Sequence, residues 1–152
     1  QRMRDIFLSF VSLAILSNPS RASEMNSSHK QVVNAYLMKI ASGLNKNTPT
    51  RVDKAMVLMN VTVEGITLMH RYLVDMTVLR DTSIELFGVA PTSEEFNMGL
   101  KASTLKFDCS DPDDNPIFLA GAKIGRNYYD AKQNLLFSVI NEKDECDTPQ
   151  KQ

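Results

Sequence analysis

Residues 55–74 read AMVLMNVTVEGITLMHRYLV and predict a β-hairpin. Two runs rich in β-branched and other strand-forming residues flank Glu64-Gly65, a dipeptide suited to a two-residue turn. A turn at this dipeptide places Val63 opposite Ile66, which makes one face of the hairpin almost wholly apolar. That face comprises Ala55, Val57, Met59, Val61, Val63, Ile66, Leu68, His70, Tyr72 and Val74. The opposite face is mixed, as expected for a sheet face that is only partly covered.

The chain has 152 residues, 43% hydrophobic and 23% charged, which fits one globular domain. Arg2 and Arg4 precede an apolar run at 6–16, and small residues follow at 20–22. This order predicts a signal peptide over residues 1–22 and a single α+β domain over 23–152. A buried helix and a membrane anchor are the alternatives, but the run is well short of the roughly 20 residues that a bilayer crossing needs.

Charge and hydropathy argue against a nucleic-acid partner and against a membrane span in the mature chain. The whole sequence has a net charge of −1, and removal of residues 1–22 would take away three Arg and one Asp. The Lys residues are scattered, whereas binding of phosphates needs clustered cations, so no nucleic-acid partner is expected. No second apolar segment of membrane length follows, so no membrane span is expected in the mature protein.

Cys109 and Cys146 are the two cysteines of the chain. In an exported protein such an even pair favours a disulfide over a metal site or a nucleophile, because the compartment is oxidising. Thiol chemistry is the alternative, but the sequence has no CxxC motif and nothing marks either His as a base. The predicted location is therefore periplasmic or secreted.

The remaining patterns predict the other elements of an α+β fold. We expect a first helix over 29–42, begun by a capping box of Ser28 with Gln31, and a second helix from Thr92 to Cys109, whose cap includes Glu95. The second strand of the first hairpin is expected to end near Val78, with an irregular segment after it. A second hairpin follows at 122–140. The predicted fold is an antiparallel four-stranded sheet of two hairpins packed against the two helices.

The most acidic stretch, DPDDNP at 111–116, begins like a calcium-binding loop. Asp111, Asp113 and Asn115 have the spacing of an EF-hand opening, but Pro116 replaces the turn Gly and Ala122 replaces the bidentate Glu. The pattern favours a short helix with Asp111 as its N-cap and a proline in the first turn. No metal or cofactor is expected.

Four residues form the candidate binding surface: His70, Arg71, Tyr128 and Tyr129. Each also has a plainer interpretation. His70 fits a buried neutral imidazole, Arg71 fits an exposed ion pair with Asp75, and the two tyrosines fit one core ring and one ring at its rim. The sequence contains no GxSxG, HExxH or phosphate loop, so we expect no enzyme activity.

The order of these parts resembles a broad group of small exported two-cysteine proteins of Gram-negative bacteria. The hairpin form V-x-G-x-x-L-x-x-x-Y and a capped helix that runs into a Cys are among the shared features. The residues that carry the resemblance are Val63, Gly65, Leu68, Tyr72, Cys109, Pro112, Gly121, Tyr128 or Tyr129, Asp130, Leu136 and Cys146. The group usually has a Gly in the turn after its Tyr-x-Tyr-x-Asp, where this chain has Lys132-Gln133. The resemblance implies a small α+β fold like that of cystatins or of secretion-system pilot proteins, without a transferable activity.

Three functions remain open at this point. The first is a non-catalytic periplasmic accessory factor, similar to a pilot protein, that binds another envelope protein during an envelope assembly. The second is an inhibitor or immunity protein against a periplasmic hydrolase, which would present the acidic turn at 111–116 or the Glu64-Gly65 tip. The third is a carrier of a small ligand, held between the first helix and the sheet.

Overall fold

The computed structural model describes residues 25–147, so the predicted signal peptide lies outside the described part of the chain. The described chain forms five helices and five strands. The helices are α1 (Ser27–Asn45), α2 (Met76–Phe87), α3 (Ser93–Ser110), α4 (Asn115–Leu119) and α5 (Lys143–Cys146). The strands are β1 (Thr50–Arg51), β2 (Met56–Glu64), β3 (Thr67–Val74), β4 (Lys123–Tyr129) and β5 (Leu135–Asn141).

The five strands form one mixed sheet in the order β1-β2-β3-β4-β5. The predicted four antiparallel strands are therefore wrong in two respects. The short strand β1 adds to the edge of β2, and β3 pairs with β4 in parallel. Parallel neighbours need a long crossover, and here α2, α3 and α4 provide it by returning the chain to the end of the sheet where β3 began. The hairpin of β4 and β5 was predicted correctly as an antiparallel pair.

The first hairpin forms, but its turn lies one residue later than predicted. Glu64 pairs with Thr67, so the loop consists of Gly65 and Ile66, and Val63 faces Leu68 instead of Ile66. The reason is the backbone angle of Gly65, whose φ of 62° places the glycine at the first loop position. This change moves each partner by two residues and therefore preserves the faces of the hairpin near its turn.

A β-bulge between Leu58 and Asn60 then exchanges the faces of β2. Leu58 pairs with Tyr72, and both residues pack towards the helices. Val57 and Met59, predicted on the apolar face, consequently lie on the other side of the sheet. One extra residue in a strand has this effect because side chains alternate with a period of two.

The helices all pack against one face of the sheet and enclose two apolar clusters. The first cluster comprises Val33, Leu37, Ala41, Val61, Leu68, Ile117, Phe118, Ala122 and Ile124, with Cys146 at its margin. The second comprises Val74, Tyr128, Phe137 and Val139, against which residues of α2 and α3 pack, including Met76, Leu79, Phe96 and Leu100. The buried residues of α1 are Val33, Leu37 and Ala41, which recur every four residues and form the stripe that faces the sheet.

Helix boundaries depend on caps, and the predicted ones were partly wrong. Asn26, instead of Ser28, caps α1, and the helix continues through Gly43 to Asn45. The second strand ends at Val74 instead of near Val78, because the Asp75 side chain accepts hydrogen bonds from two backbone N–H groups and begins α2. The segment expected to be irregular is thus a helix. It ends at Gly88, which has a left-handed φ of 78°.

The second predicted helix is confirmed as α3, with the full capping box of Thr92 and Glu95. The short helix of the acidic stretch also forms, but its N-cap position is Asp114 instead of Asp111. Asp111 accepts a hydrogen bond from the backbone N–H of Asp113 and so stabilises the preceding turn. The predicted disulfide joins Cys109 at the end of α3 to Cys146 in α5.

Candidate functional site

The candidate surface is the sheet face opposite the helices, which we call the helix-free face. Its centre is formed by side chains of β2, β3 and β4 that point away from the two apolar clusters. They include Met59, Asn60, Thr62, Arg71, Leu73, Asn127 and Tyr129. Met59 is 42% exposed, and the others are half-buried. The face therefore mixes apolar and hydrogen-bonding groups, as the sequence predicted for one side of the hairpin.

A pocket of about 300 Å³ lies at the middle of this face. The guanidinium of Arg71 stacks on the ring of Tyr129, with 4.9 Å between the guanidinium carbon and the ring centroid. Such a cation–π contact holds the long Arg side chain in one orientation. Leu73, Met59 and Asn60 line the same pocket. Asn60 Oδ1 is buried there without a hydrogen-bond donor from residues 25–147.

The pocket continues into a larger cleft at the end of the sheet. This cleft has a volume of about 630 Å³ and shares Leu73, Asp130 and Ala131 with the pocket. Its other lining residues include three cations, Arg51, Lys54 and Lys132, beside Asp75. Pocket and cleft thus form a continuous recess that runs from an apolar centre to a charged rim, which is the composition typical of protein-binding surfaces.

The structure separates the four candidate residues into two pairs on opposite faces. Arg71 and Tyr129 lie together on the helix-free face. His70 and Tyr128 point to the helices, where the ring of Tyr72 stacks on Tyr128 with 5.1 Å between centroids. Neighbouring residues of a strand must diverge in this way. Arg71 packs against Tyr129, and Asp75, its predicted ion-pair partner, instead caps α2.

His70 is half-buried, and its Nδ1 lies 3.2 Å from the carbonyl oxygen of Gly125 on the neighbouring strand. Burial, followed by the positive charge of Arg126, lowers the pKa of His70 from its usual value. A neutral imidazole held by a backbone carbonyl is therefore its state at neutral pH. This contact fixes the orientation of the His70 ring on the side of the sheet that the helices cover.

A buried polar network, which was not predicted from the sequence, lies between α3 and the sheet. Arg126 donates to both carboxylate oxygens of Asp108, at 2.7 and 2.5 Å, and Asn141 Nδ2 donates to the same carboxylate at 2.8 Å. At the outer end of this network, Lys101 Nζ donates to Asn141 Oδ1 at 2.9 Å and lies 2.6 Å from Glu145 Oε2. One feature of the sequence indicated this network, because Arg126 occupies an inward position of β4 between Ile124 and Tyr128.

The charges of this network stabilise one another. Burial acts to raise the pKa of Asp108, but hydrogen bonds from Arg126, Asp114 and Asn141 outweigh it and lower that pKa. Burial likewise opposes the charge of Arg126, while the hydrogen bonds and charge of Asp108 raise its pKa overall. Burial and the neighbouring Asp108 raise the pKa of Asp114 to about 8. The pair of Asp108 and Arg126 is thus ionised and structural.

Two absences hold for residues 25–147. This part of the chain contains no group of three or more His, Cys, Asp or Glu side chains arranged to hold a metal ion. No helix within the same range is both long enough and apolar enough to cross a membrane.

Comparison with models of protein families gives no match, and comparison with curated proteins gives none either. Solved structures do match. A protein of Pseudomonas aeruginosa that is inferred to be secreted superposes with a TM-score of 0.64 at 16% identity, covering 80% of this chain and 99% of the other. EpsS, the pilotin of the Vibrio vulnificus type 2 secretion system, gives 0.60 at 13% identity and covers 82% and 100%. AspS, a type II secretion pilotin of Vibrio cholerae, gives 0.58 at 13%, covering 79% and 97%.

The fold resembles that of pilotins. At these identities the likeness concerns the fold alone, and it covers nearly the full length of each of the three neighbours. The neighbours and the disulfide are consistent with a periplasmic or secreted location, as predicted from the sequence. The pilot-like part of the predicted resemblance agrees with these structures, whereas the cystatin-like part stays a prediction.

Proposed function

We propose that this chain is a non-catalytic accessory factor of a bacterial envelope assembly and that it acts by binding another envelope protein. The pilotin-like fold supports the class of process. The observation that carries the binding role is the recess on the helix-free face, with the Arg71–Tyr129 stack at its centre.

The recess has the properties of a protein-binding hot spot. Tyr and Arg are enriched among residues that dominate binding energies, and the stack presents both in a fixed geometry. Met59 and Leu73 add apolar surface beside them. The expected partner segment therefore presents an apolar side chain to Met59 and Leu73, beside the Arg71–Tyr129 stack.

The groups with the most perturbed chemistry support a non-catalytic role because they are enclosed. Asp108 is 1% exposed and Arg126 is 7% exposed, and each satisfies the other in a bidentate pair. The Nδ1 atom of His70 lies within hydrogen-bond distance of a backbone carbonyl oxygen of β4. General acid or base catalysis needs such groups within hydrogen-bond reach of a substrate, which the burial of Asp108 and Arg126 prevents.

The structure favours this proposal over the two alternatives. An inhibitor would need a protruding loop, whereas the acidic stretch is a tight turn, closed by the hydrogen bond from the Asp113 backbone N–H to the Asp111 side chain and continued directly by α4. The Glu64-Gly65 tip is held against α1 by a 2.7 Å hydrogen bond from Asn34 to the Gly65 carbonyl oxygen. A carrier would need an enclosed cavity between α1 and the sheet, but the first apolar cluster packs there, and the pockets beside α1 are open grooves at the edge of this packing.

Site-specific photo-crosslinking in intact cells that make the protein tests the proposal. A photoreactive amino acid at Met59 should capture an envelope protein, while the same residue at Lys39, exposed on α1, should not. Replacing Tyr129 by Ala should reduce the yield by about tenfold or more, as for a hot-spot residue. Equal capture from both positions, or no envelope protein captured from Met59, would contradict the proposed binding face.

A further inference from the structure

The recess on the helix-free face is positively charged, although the chain as a whole is not. Four cations and two carboxylates line it and give it a net charge of +2, whereas the whole chain has a net charge of −1. These six residues are Arg51, Lys54, Arg71, Lys132, Asp75 and Asp130. Within residues 25–147, ion pairs are formed by Lys101, Lys123 and Arg126, and by none of the four cations of the recess. The recess therefore offers positive charge that this part of the chain leaves without a carboxylate partner.

The two carboxylates of the recess are already bound to N–H groups of their own turns. Asp75 accepts hydrogen bonds from two backbone N–H groups at the start of α2, at 3.0 and 3.1 Å, where the positive end of the helix dipole also faces it. Asp130 accepts from the backbone N–H groups of Lys132 and Asn134, both at 2.9 Å, and from Asn134 Nδ2 at 3.1 Å. The bonds from Asn134 are the first cause of the lowered pKa of Asp130, and the charge of Lys132 adds to them. Both carboxylates thus leave the neighbouring cations available to a partner.

The guanidinium of Arg71 is held in place at the middle of the recess with its N–H groups unused. It stacks on the ring of Tyr129 and donates no hydrogen bond to any residue in the range 25–147. A guanidinium binds a carboxylate through two parallel N–H donors, and a side chain fixed beforehand loses little entropy when it binds. Met59 and Leu73 lie beside this stack. A carboxylate that enters together with an apolar side chain therefore fits the pocket.

The other three cations lie at the end of the sheet, where the cleft opens. Arg51 ends β1 and is held there, since its guanidinium donates to the carbonyl oxygens of Asp53 and Lys54, both at 3.2 Å. Lys132 lies on the other side of the cleft, in the turn between β4 and β5. From Arg71 to the end of β3 the chain advances by three residues, or roughly 10 Å. An extended segment that follows β3 covers that distance with about three residues.

We propose that the partner binds this recess through an acidic peptide segment, which places one carboxylate on Arg71, an apolar side chain on Met59 and Leu73, and a second carboxylate at the cations of the cleft. The two acidic residues are separated by about three positions, as the length of the recess requires. Charge of opposite sign on the two surfaces selects such a segment and speeds its association. The inference rests on the proposed binding function and adds to it the chemistry of the segment that is bound.

Selection of peptides from a displayed random library on the purified protein tests the proposal. The wild-type chain should enrich peptides that carry two Asp or Glu residues beside an apolar residue. The double variant Lys54→Glu with Lys132→Glu reverses the charge of the cleft, so it should lose this preference and enrich Lys and Arg. Lys39→Glu with Lys106→Glu is the matched control, because it changes the net charge equally at exposed positions of α1 and α3. The control should select the same peptides as the wild type.

A peptide selected on the wild type then serves as the probe for affinity, measured by fluorescence anisotropy. The double variant of Lys54 and Lys132 should weaken its binding by about tenfold or more, and the control should leave it unchanged. Arg71→Lys keeps the charge but removes the paired donors, so it should also weaken binding. Raising the salt concentration from about 0.05 to 0.5 M should weaken binding to the wild type several-fold, because the exposed charges are then screened.

Several outcomes would overturn the proposal. A selection without an excess of acidic residues does so, and so does an equal loss of affinity in the double variant and its control. Binding of the wild type to vesicles of phosphatidylglycerol, lost in the double variant and without selection of acidic peptides, would assign these cations to a membrane surface instead.

Photo-crosslinking from Met59 separates this proposal from the binding function on which it rests. An envelope protein captured equally well by the wild type and by the double variant of Lys54 and Lys132 would overturn the acidic segment and leave the binding face intact. No capture from Met59 would remove the binding face and, with it, the acidic segment. Capture that the double variant reduces and the control does not would support both.

Discussion

At the scale of residues, Arg126 and Asp108 form a buried ion pair between the two apolar clusters. The ion pair lies where the two apolar clusters meet, and Asn141 completes its hydrogen bonds. A fully paired buried charge adds little net stability, but removing one partner is costly because the other charge remains in a medium of low polarity. The pair therefore fixes the position of α3 on β4 and β5. Neither residue can be replaced alone without a large loss of stability.

Replacing Arg126 by Met should lower the free energy of unfolding by about 3–5 kcal/mol at pH 7, because Asp108 then remains charged and unpaired. The loss should be smaller at pH 5. Without Arg126 the pKa of Asp108 rises, and the folded variant can neutralise the carboxylate by protonation. Urea unfolding at both pH values measures the difference. Arg80→Met, at an exposed position of α2, should change stability by less than about 0.5 kcal/mol. An equal loss at pH 5 and pH 7 would argue against this account.

At the level of elements, short-range sequence patterns predicted the helices and strands that depend on neighbouring residues alone. The capping box of Thr92 and Glu95 located α3, and alternation located β4 and β5. The bulge at Leu58 was not predictable, because a strand with apolar residues on both sides fits either register. The cap at Asp75 was missed because Val78 and its neighbours also fit a strand. Gln133 adopts a φ of 65° in the turn where the resembling group carries Gly, and the hairpin of β4 and β5 forms as predicted.

The candidate site was only half predictable for a similar reason. Arg71 and Tyr129 meet across β3 and β4, which run in parallel, and no local pattern indicates that pairing because three helices separate the two strands in the chain. Pairings between distant segments arise from packing of the whole chain, which short-range patterns do not encode.

Replacement by Ala should have opposite effects at Gly121, which follows the end of α4, and at Gly99, which lies in the middle of α3. Gly121 has a φ of 85°, and an added Cβ would collide with the Met25 side chain, so Gly121→Ala should destabilise the protein by roughly 1–2 kcal/mol. Gly99 lies within α3 with open space around it, so Gly99→Ala should stabilise the protein by up to about 1 kcal/mol. Thermal or urea unfolding of both variants checks the prediction. A shift in the same direction for both would show that backbone conformation is not the deciding factor.

On the scale of the whole molecule, the chain consists of two segments that meet at the centre of the sheet. The first contributes α1 and β1–β3, and the second contributes α3, α4, α5, β4 and β5. They join along seven paired positions of the parallel strands β3 and β4, and α1 covers the junction through the first apolar cluster. The disulfide lies wholly within the second segment. The connection between the segments runs through α2, which has no fully buried residue.

This arrangement predicts that the protein survives a cut in α2. Leu86 and Phe87 are 69% and 77% exposed at the end of that helix, so brief treatment with chymotrypsin should cleave there first. The two fragments should stay together on size exclusion in native buffer, keep the circular dichroism of the sheet, and separate in urea, since no disulfide crosses the cut. The double variant Leu86→Ser with Phe87→Ser should resist cleavage and serves as the control. Fragments that separate at once in native buffer would mean that the covalent crossover, and not the β3–β4 junction with its apolar cover, holds the two segments together.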